Sequence, residues 1–231
     1  MDVLVEGVRQ AVGLLLGGDR EIVGVLWLSL QVSGTATLIA LLLGIPVGAA
    51  LALTRFPGRT LVVSAVNTGM GLPPVVVGLF VTLLLWRSGP LGELEILYTP
   101  AAIVIAQAVI ATPIVTAITL AAVGQVPREF RLQLLALGAS RAQMIWLVLR
   151  EARLPMLAAV MAGFGGIISE IGASLMVGGN IKGQTRTLTT AMVLETGKGN
   201  FEIAIALALL LLVLIFLVNW LLTAIQQRHA R

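Results

Sequence analysis

The sequence predicts an all-α integral membrane protein with about five transmembrane helices and a short amphipathic helix before them. Hydrophobic residues make up 58% of the 231 residues and charged residues only 11%. A water-soluble fold would therefore lack the polar side chains needed to cover its surface. Apolar runs of roughly 20 residues, enough to cross a bilayer, recur along the chain, whereas barrel strands would alternate over about ten residues. One domain, residues 1–231, is expected to account for the whole length.

The first predicted element, Met1 to Leu16, is a short helix lying along the membrane interface. In a helix, its apolar residues Val3, Val8, Val12 and Leu15 can share one face. Five spans follow, at about Val25 to Leu53, Leu61 to Trp86, Tyr98 to Val123, Leu154 to Val177 and Phe201 to Ile225.

The basic residues between the spans predict the orientation in the membrane. One side of the bilayer would carry Arg55, Arg59, Arg128, Arg131, Arg141, Arg150, Arg153, Arg228 and Arg231. The other side would carry Arg9, Arg20, Arg87, Lys182, Arg186 and Lys198. Because the side richer in Lys and Arg faces the cytoplasm, the amino terminus is expected outside and the carboxyl terminus in the cytoplasm.

Composition also excludes several classes of site. The chain has no cysteine, which removes disulfides, thiolate metal sites and thiol nucleophiles, and we expect neither a metal site nor a cofactor bound by this chain. The net charge of +4 is a loop bias of the kind that orients spans, so we expect contact with membrane lipid and no nucleic-acid partner.

Residues 127–153 interrupt the apolar sequence with a polar segment that is still helical in pattern. Phe130, Leu134 and Leu137 recur at helical spacing, and Gly138 then offers a helix stop. Ser140 and Gln143 form a capping-box pattern that starts a second helix. A cytoplasmic helix–turn–helix with apolar side chains is typical of a protein-docking surface, and an amphipathic helix resting on lipid headgroups is the alternative.

This segment resembles the "EAA" cytoplasmic loop of ABC-importer permeases. Gly138-Ala139-Ser140 and Trp146 match that pattern, whereas Leu132-Gln133-Leu134 replaces Glu-Ala-Ala and Leu154-Pro155 comes four residues later than usual. The resemblance implies a type I ABC importer permease with the MetI-like fold. It also implies a coupling helix that docks on an ATP-binding subunit through the residues Phe130, Leu134, Leu137, Gly138, Ala139, Ser140, Arg141 and Trp146.

The same resemblance implies the partners. The permease would be a homodimer that works with two ATP-binding subunits in the cytoplasm and an extracytoplasmic binding protein, in the cytoplasmic (inner) membrane of a bacterium or archaeon. The sequence contains no Gly-x-x-x-x-Gly-Lys-Ser/Thr motif, so ATP and Mg would be used by the separate ATPase and this chain would not be an enzyme.

Glu170 is the second feature that suggests function, because it lies within the fourth predicted span. An ionised carboxylate at membrane depth costs roughly 2.5 to 3.5 kcal/mol, so it should face a cavity or a partner. A gating role is one reading. A structural role, with the carboxyl protonated or paired with Arg186 or Lys182, is the other.

Prolines and neutral polar side chains suggest a transport path. Pro73 and Pro74 interrupt helical hydrogen bonding within the second span, which favours a path, although they could also only shape helix packing. The Ser-Glu-Ile-Gly-Ala-Ser and Gly-Gly-Asn-Ile runs, which begin at Ser169 and Gly178, are similar to permeases for tetrahedral oxyanions, above all the tungstate group, with molybdate and sulfate as alternatives. Such an anion could pass along the neutral donors Asn67, Thr68, Ser169 and Ser174.

Two other function classes remain open. A membrane enzyme would need clustered acids, histidines or a Ser/Lys pair within the spans, but Glu170 stands nearly alone and the one histidine, His229, lies in the tail. A passive channel would conduct without any ATPase.

Overall fold

The computed structural model describes the backbone of residues 2–17 and 20–230, with side chains except those of 2–4, 11, 12, 14–16 and 228–230. Within these residues the chain forms α-helices joined by turns and one short 3₁₀ segment at Gly92–Leu94. The helices are α1 (Asp2–Gly17), α2 (Arg20–Leu53), α3 (Arg59–Met70), α4 (Pro74–Leu85), α5 (Pro100–Gly124), α6 (Arg128–Ala136), α7 (Arg141–Glu151), α8 (Arg153–Ile168), α9 (Gly172–Gly178), α10 (Leu188–Gly197) and α11 (Phe201–Ala230).

The helices account for the predicted spans, with one important difference. Among the described residues, α2, α5 and α11 are each long and apolar enough to cross a membrane alone. The pairs α3–α4 and α8–α9 pass the same test only together, and they bend by 100° and 60° respectively. Five spans result if each bent pair is counted as one. The break in the second span lies at Pro73 and Pro74, where the sequence predicted an interruption, whereas no break was predicted within 154–177.

Close packing of α2 against α5 forms the centre of the fold. A Cβ added to Gly44 would lie 2.8 Å from Cγ1 of Val115, and one added to Gly48 would lie 2.5 Å from the Thr116 carbonyl oxygen. Small residues at one helix face let two backbones approach this closely in an apolar environment. Both helices continue through their internal prolines, Pro46 and Pro113.

The amino-terminal helix is confirmed and packs against the first turns of α11. A Cβ added to Gly7 would lie 2.6 Å from Cγ2 of Ile205. Val8 is 50% exposed, whereas the side chains of Val3, Val12 and Leu15 lie outside the described residues. The position of α1 along the membrane interface stays a prediction.

Candidate functional site

The first helix break lies between α3 and α4. Pro73 precedes α4 with an extended backbone, and Pro74 occupies its first position. A proline has no N–H and is tolerated at a helix start, and it disfavours helical geometry in the residue before it. The Pro73-Pro74 pair therefore ends one helical path and begins another in a new direction.

Asn67 and Thr68, the predicted path residues of α3, lie just before this break and are exposed. The Thr68 hydroxyl donates to the Ser64 carbonyl at 2.9 Å, so its proton is engaged within the helix. Every residue of α3 is at least partly exposed, and the helix contacts α5 through Gly69 and Pro113. This arrangement leaves the last turn of α3 accessible.

The second break, between α8 and α9, is organised by Glu170. Glu170 is 8% exposed, and its carboxylate accepts hydrogen bonds from the amides of Ala173 at 3.1 Å and Ser174 at 3.2 Å. These amides belong to the first turn of α9, where N–H groups have no helical partner. Ser169 is exposed at the break and donates to the Gly165 carbonyl at 2.9 Å. Glu170 thus caps the helix that follows it.

The two breaks lie side by side because α4 packs against α9. A Cβ added to Gly172 would lie 2.6 Å from Cγ2 of Val75, and one added to Gly78 would lie 2.7 Å from Cα of Ala173. Glycine is required at such contacts because any side chain would push the helices apart. The structure therefore brings Pro73, Pro74, Ser169, Glu170 and Ser174 into one region.

A buried amide network, which sequence reasoning missed, supports this region. Gln107 of α5 is 2% exposed. Its Nε2 donates to the Ile167 carbonyl at 3.0 Å and approaches the Ser174 hydroxyl at 3.5 Å, while its Oε1 accepts from the Ser33 hydroxyl at 3.1 Å. A signal was present in the sequence, since Gln107 is the single amide side chain of the third predicted span. Polar residues at membrane depth are functional candidates by default.

The proposed pairing of Glu170 with Lys182 or Arg186 is wrong. Both cations lie against Glu21 at the start of α2, with Lys182 Nζ 2.7 Å and Arg186 Nη1 3.6 Å from its carboxylate oxygens. Glu170 instead anchors the segment between α9 and α11 through its backbone, because the Thr189 hydroxyl donates to the Glu170 carbonyl at 3.1 Å. The physical reason is that backbone amides of α9 already satisfy the carboxylate.

The segment between α9 and α11 is held together by threonines. Thr185, Thr187, Thr189 and Thr190 are all buried, and Thr187 with Thr190 forms a reciprocal cap at the start of α10. The Leu188 amide donates to the Ser29 hydroxyl of α2 at 2.9 Å. These bonds tie the segment to α2 and to the α8–α9 break.

At the far end of α10, Glu195 accepts hydrogen bonds from the Asn200 side-chain amide and from Lys198, both at 2.7 Å. The Asn200 bond first, and then the Lys198 bond, lower the pKa of Glu195 below its ordinary value, because both stabilise the ionised carboxylate.

Residues 128–151 fold as the predicted helix–turn–helix. α6 ends at Ala136, Gly138 adopts a φ of 86°, and α7 begins at Arg141. The capping box is present in full, since the Gln143 amide donates to the Ser140 hydroxyl at 3.2 Å and the Ser140 amide donates to Gln143 Oε1 at 2.8 Å. The turn glycine and the capping-box residues therefore predicted this helix–turn–helix correctly.

The helix–turn–helix has an inward and an outward side. Val148 and Ala152 are buried against the ends of α2 and α5, and Phe130 packs on the same cluster. On the outward side Leu137 is 85% exposed and Trp146 is 59% exposed. A concave surface of about 490 Å³ lies there, lined by Leu134, Leu137, Gly138, Ala139, Gln143, Trp146 and Leu147. Six of the eight predicted docking residues thus lie around this surface or its cap, whereas Phe130 faces the interior and Arg141 follows the cap.

This concave surface, the predicted docking surface, is connected to the second break through α7 and α8. α7 ends at Glu151 and α8 begins at Arg153, so Ala152 alone separates them. Ala152 is 2% exposed, and its amide and carbonyl continue helical hydrogen bonds to Val148 and Met156. A displacement of α7 would therefore reach α8 and the break at its other end.

Comparison with known proteins agrees with this arrangement. A family model described as "Binding-protein-dependent transport system inner membrane component" matches residues 44–231, which include both breaks and the helix–turn–helix. A "Probable anion ABC transporter permease protein" from Haloferax volcanii is 43% identical over 186 residues, 78% of this chain and 80% of that protein. A "Tungstate uptake system permease protein TupB" from Peptoclostridium acidaminophilum is 37% identical over 227 residues, 98% of this chain and 100% of that protein.

Among solved structures, a chain of the inward-facing MetNI methionine ABC transporter superposes with a TM-score of 0.76 at 21% identity. The match covers 91% of this chain and 97% of that chain. The fold is therefore that of the MetI-like type I importer permeases. Because the family model matches more than half of the chain, the chain belongs to the binding-protein-dependent transport system inner membrane components.

Proposed function

We propose that this chain is the membrane-spanning subunit of an ATP-driven importer for tungstate. One observation supports tungstate as the substrate: the chain is similar over its full length, at 37% identity, to a permease named for tungstate uptake. The relative from Haloferax volcanii, named as an anion transporter, supports the same chemical class. Asn67, a predicted path residue of α3, is neutral and exposed, which suits an anion that must be released again.

The partners of the importer are part of this proposal. Two copies of the chain would form the path, two ATP-binding subunits would dock from the cytoplasm, and an extracytoplasmic protein would deliver the oxyanion. The exposed side chains of Leu137 and Trp146 support the docking role, because large apolar groups around a concave surface are typical of protein interfaces.

The proposed mechanism uses the two helix breaks as hinges. Nucleotide binding would move the ATPase subunits, and the docking surface would pass this movement through α7 and Ala152 into α8. At the bends of 60° and 100°, the two helices of each pair can change their relative angle without unfolding. Because α4 and α9 contact each other through Gly78 and Gly172, a movement at one break would reach the other.

Reconstitution tests the function directly. The chain is placed in liposomes with its co-encoded ATP-binding subunit and binding protein, and uptake of tungstate, molybdate and sulfate is measured with and without Mg-ATP. We expect ATP-dependent uptake of tungstate at a higher kcat/KM than of molybdate or sulfate. Higher values for molybdate or sulfate would change the substrate, uptake without ATP would indicate a passive channel, and ATP hydrolysis by the isolated chain would contradict a pure transport subunit.

The proposed orientation has its own test, which the absence of native cysteine makes simple. Single cysteines at Leu137 and Lys198, both exposed, are labelled with a membrane-impermeant maleimide in intact cells. Labelling at position 198 and protection at position 137 are expected if the carboxyl terminus is cytoplasmic. The opposite pattern would reverse the topology and remove the docking surface from the ATPase side.

A further inference from the structure

Gln107 is the buried polar side chain that joins the most helices around the α8–α9 break. Its amide oxygen accepts from Ser33 of α2 at 3.1 Å, and its amide nitrogen donates to the Ile167 carbonyl of α8 at 3.0 Å. The same nitrogen lies 3.5 Å from the Ser174 hydroxyl of α9. Gln107, Ser33 and Ser174 are each 2% exposed or less. One amide thus connects α5 to three other helices.

The position of the Ile167 carbonyl explains why this contact matters. Ile167 lies in the last turn of α8, where the helix break removes the amide that would normally bond its carbonyl. The Glu170 amide replaces it at 3.2 Å, and the Gln107 side chain fills the second acceptor position. Glu170 caps α9 on one side of the break, and Gln107 caps α8 on the other.

We propose that Gln107 is a positioning residue that sets the angle of the α8–α9 break, so that movement of α8 is transmitted to α9. Without this amide α8 and α9 would lose the hydrogen bonds that hold both of them to α5, so that α8 could move while α9 stayed in place. The proposal rests on the transport function proposed above and adds a residue to its coupling mechanism. Burial of the amide costs desolvation, and its hydrogen bonds to α2, α8 and α9 offset that cost only while these helices keep their relative positions.

The test compares ATP use with transport in the reconstituted complex. Gln107→Met keeps the length of the side chain and removes both its donors and its acceptor. Gln31→Met is the matched control, because Gln31 is an exposed glutamine on α2. The measured quantity is ATP hydrolysed per anion imported. A loss of folded complex lowers both rates together and leaves this ratio unchanged, whereas a loss of coupling raises it.

We expect Gln107→Met to raise the ratio about fivefold or more, the lower range of coupling between distant sites, with the ratio of Gln31→Met at the wild-type value. The concentration of binding protein that gives half-maximal uptake should stay the same. A wild-type ratio in Gln107→Met would overturn the proposal. If that variant does not assemble, Ser33→Ala, which removes one bond of the amide, is measured instead, and a wild-type ratio there overturns it equally.

The wild-type complex separates this proposal from the proposed function. Failure of the wild type to import any of the three oxyanions contradicts the function, whereas equal ratios in wild type and Gln107→Met contradict the role of Gln107. If the wild type imports none of these anions, wild type and Gln107→Met can still be compared by how much the binding protein stimulates their ATP hydrolysis. Lower stimulation in Gln107→Met then supports the positioning role, and equal stimulation removes it.

Discussion

The Ala173 amide donates to the Glu170 carboxylate across 3.1 Å, within the same chain segment and at the start of the helix that Glu170 precedes. The neighbouring Ser174 amide binds the second carboxylate oxygen. The carboxylate is thus stabilised by peptide N–H groups and by the positive end of a helix, and it has no cationic partner in the part of the chain that the structure describes. This contact fixes the start of α9, next to the break, through a buried side chain.

Glu170→Gln should lower oxyanion uptake while the protein still inserts into the membrane. A glutamine side chain keeps one acceptor oxygen but presents an NH₂ group to the second amide, so one of the two caps is lost. Loss of a helix cap costs about 1 kcal/mol, enough to alter the break but not the whole fold. Uptake per unit of membrane-inserted protein is the measurement. Glu93→Gln, at an exposed position in the α4–α5 connection, is the control, and equal uptake in both variants would leave Glu170 a purely structural role.

Gly138→Val should uncouple ATP hydrolysis from uptake. Gly138 has a φ of 86°, which costs a residue with a side chain about 1 to 2 kcal/mol and a β-branched one more. The turn between α6 and α7 would reorganise and displace Leu137 and Trp146 from the docking surface. Co-purification of the ATP-binding subunit, measured together with uptake, reports this loss.

The matched control for that variant is Gly124→Val. Gly124 also ends a helix and has open space around it, but its φ is not positive. Full coupling in Gly138→Val would mean that the turn does not contribute to docking.

Gly48→Val should destabilise the helix bundle itself. The added Cβ would meet the Thr116 carbonyl oxygen at 2.5 Å and Cβ of Thr119 at 2.8 Å, so α2 and α5 must separate. Overpacking of this kind costs about 1 to 3 kcal/mol. The thermal unfolding midpoint in detergent should fall. Gly34→Val lies on the same helix with open space around it and should leave the midpoint nearly unchanged; equal midpoints in the two variants would argue against this packing.

The lowered pKa of Glu195 predicts a small loss of stability in acid. The Asn200 and Lys198 bonds lower its pKa below the ordinary value of 4.5, so the folded protein binds this proton less readily than the unfolded chain. The stabilisation is therefore present above about pH 4.5 and disappears as pH falls through the lower, folded-state pKa. For a partly exposed pair it should not exceed about 1 kcal/mol.

The measurement compares the unfolding midpoints of wild type and Glu195→Gln at neutral pH and in acid. The difference should be larger at neutral pH and should shrink in acid. Asn200→Ala removes the largest cause of the lowered pKa, so its unfolding midpoint at neutral pH should lie between those of wild type and Glu195→Gln. A difference that is constant with pH would exclude this contribution.

Several elements could be read from the sequence because their causes are local. Ser140 and Gln143 are three residues apart, so the start of α7 depends only on neighbouring residues. Gly138 ends the preceding helix for an equally local reason. The apolar runs predicted the spans, since the length of a membrane-crossing helix follows from bilayer thickness.

Other predictions failed because they depended on distant parts of the chain. Lys182 and Arg186 were offered as partners of Glu170, which is close to them in sequence, but they lie against Glu21 more than 150 residues earlier in the chain. The contacts of Gln107 were not predicted because its partners, Ser33 and Ile167, are 74 and 60 residues away in the chain. The α8–α9 bend carries no proline that would have signalled it.

By itself, the sequence determined the class of protein, the apolar stretches that account for three to five spans, and the helix–turn–helix with its exposed apolar side. Hydropathy, capping and turn residues act over a few positions, so the order of residues is enough to specify them. Only the tertiary structure decided that the two breaks lie together, that Glu170 is satisfied by peptide amides, and that Gln107 joins α2, α5 and α8. Those outcomes depend on which helix faces pack, because a buried polar group takes whichever partner the packing brings within reach.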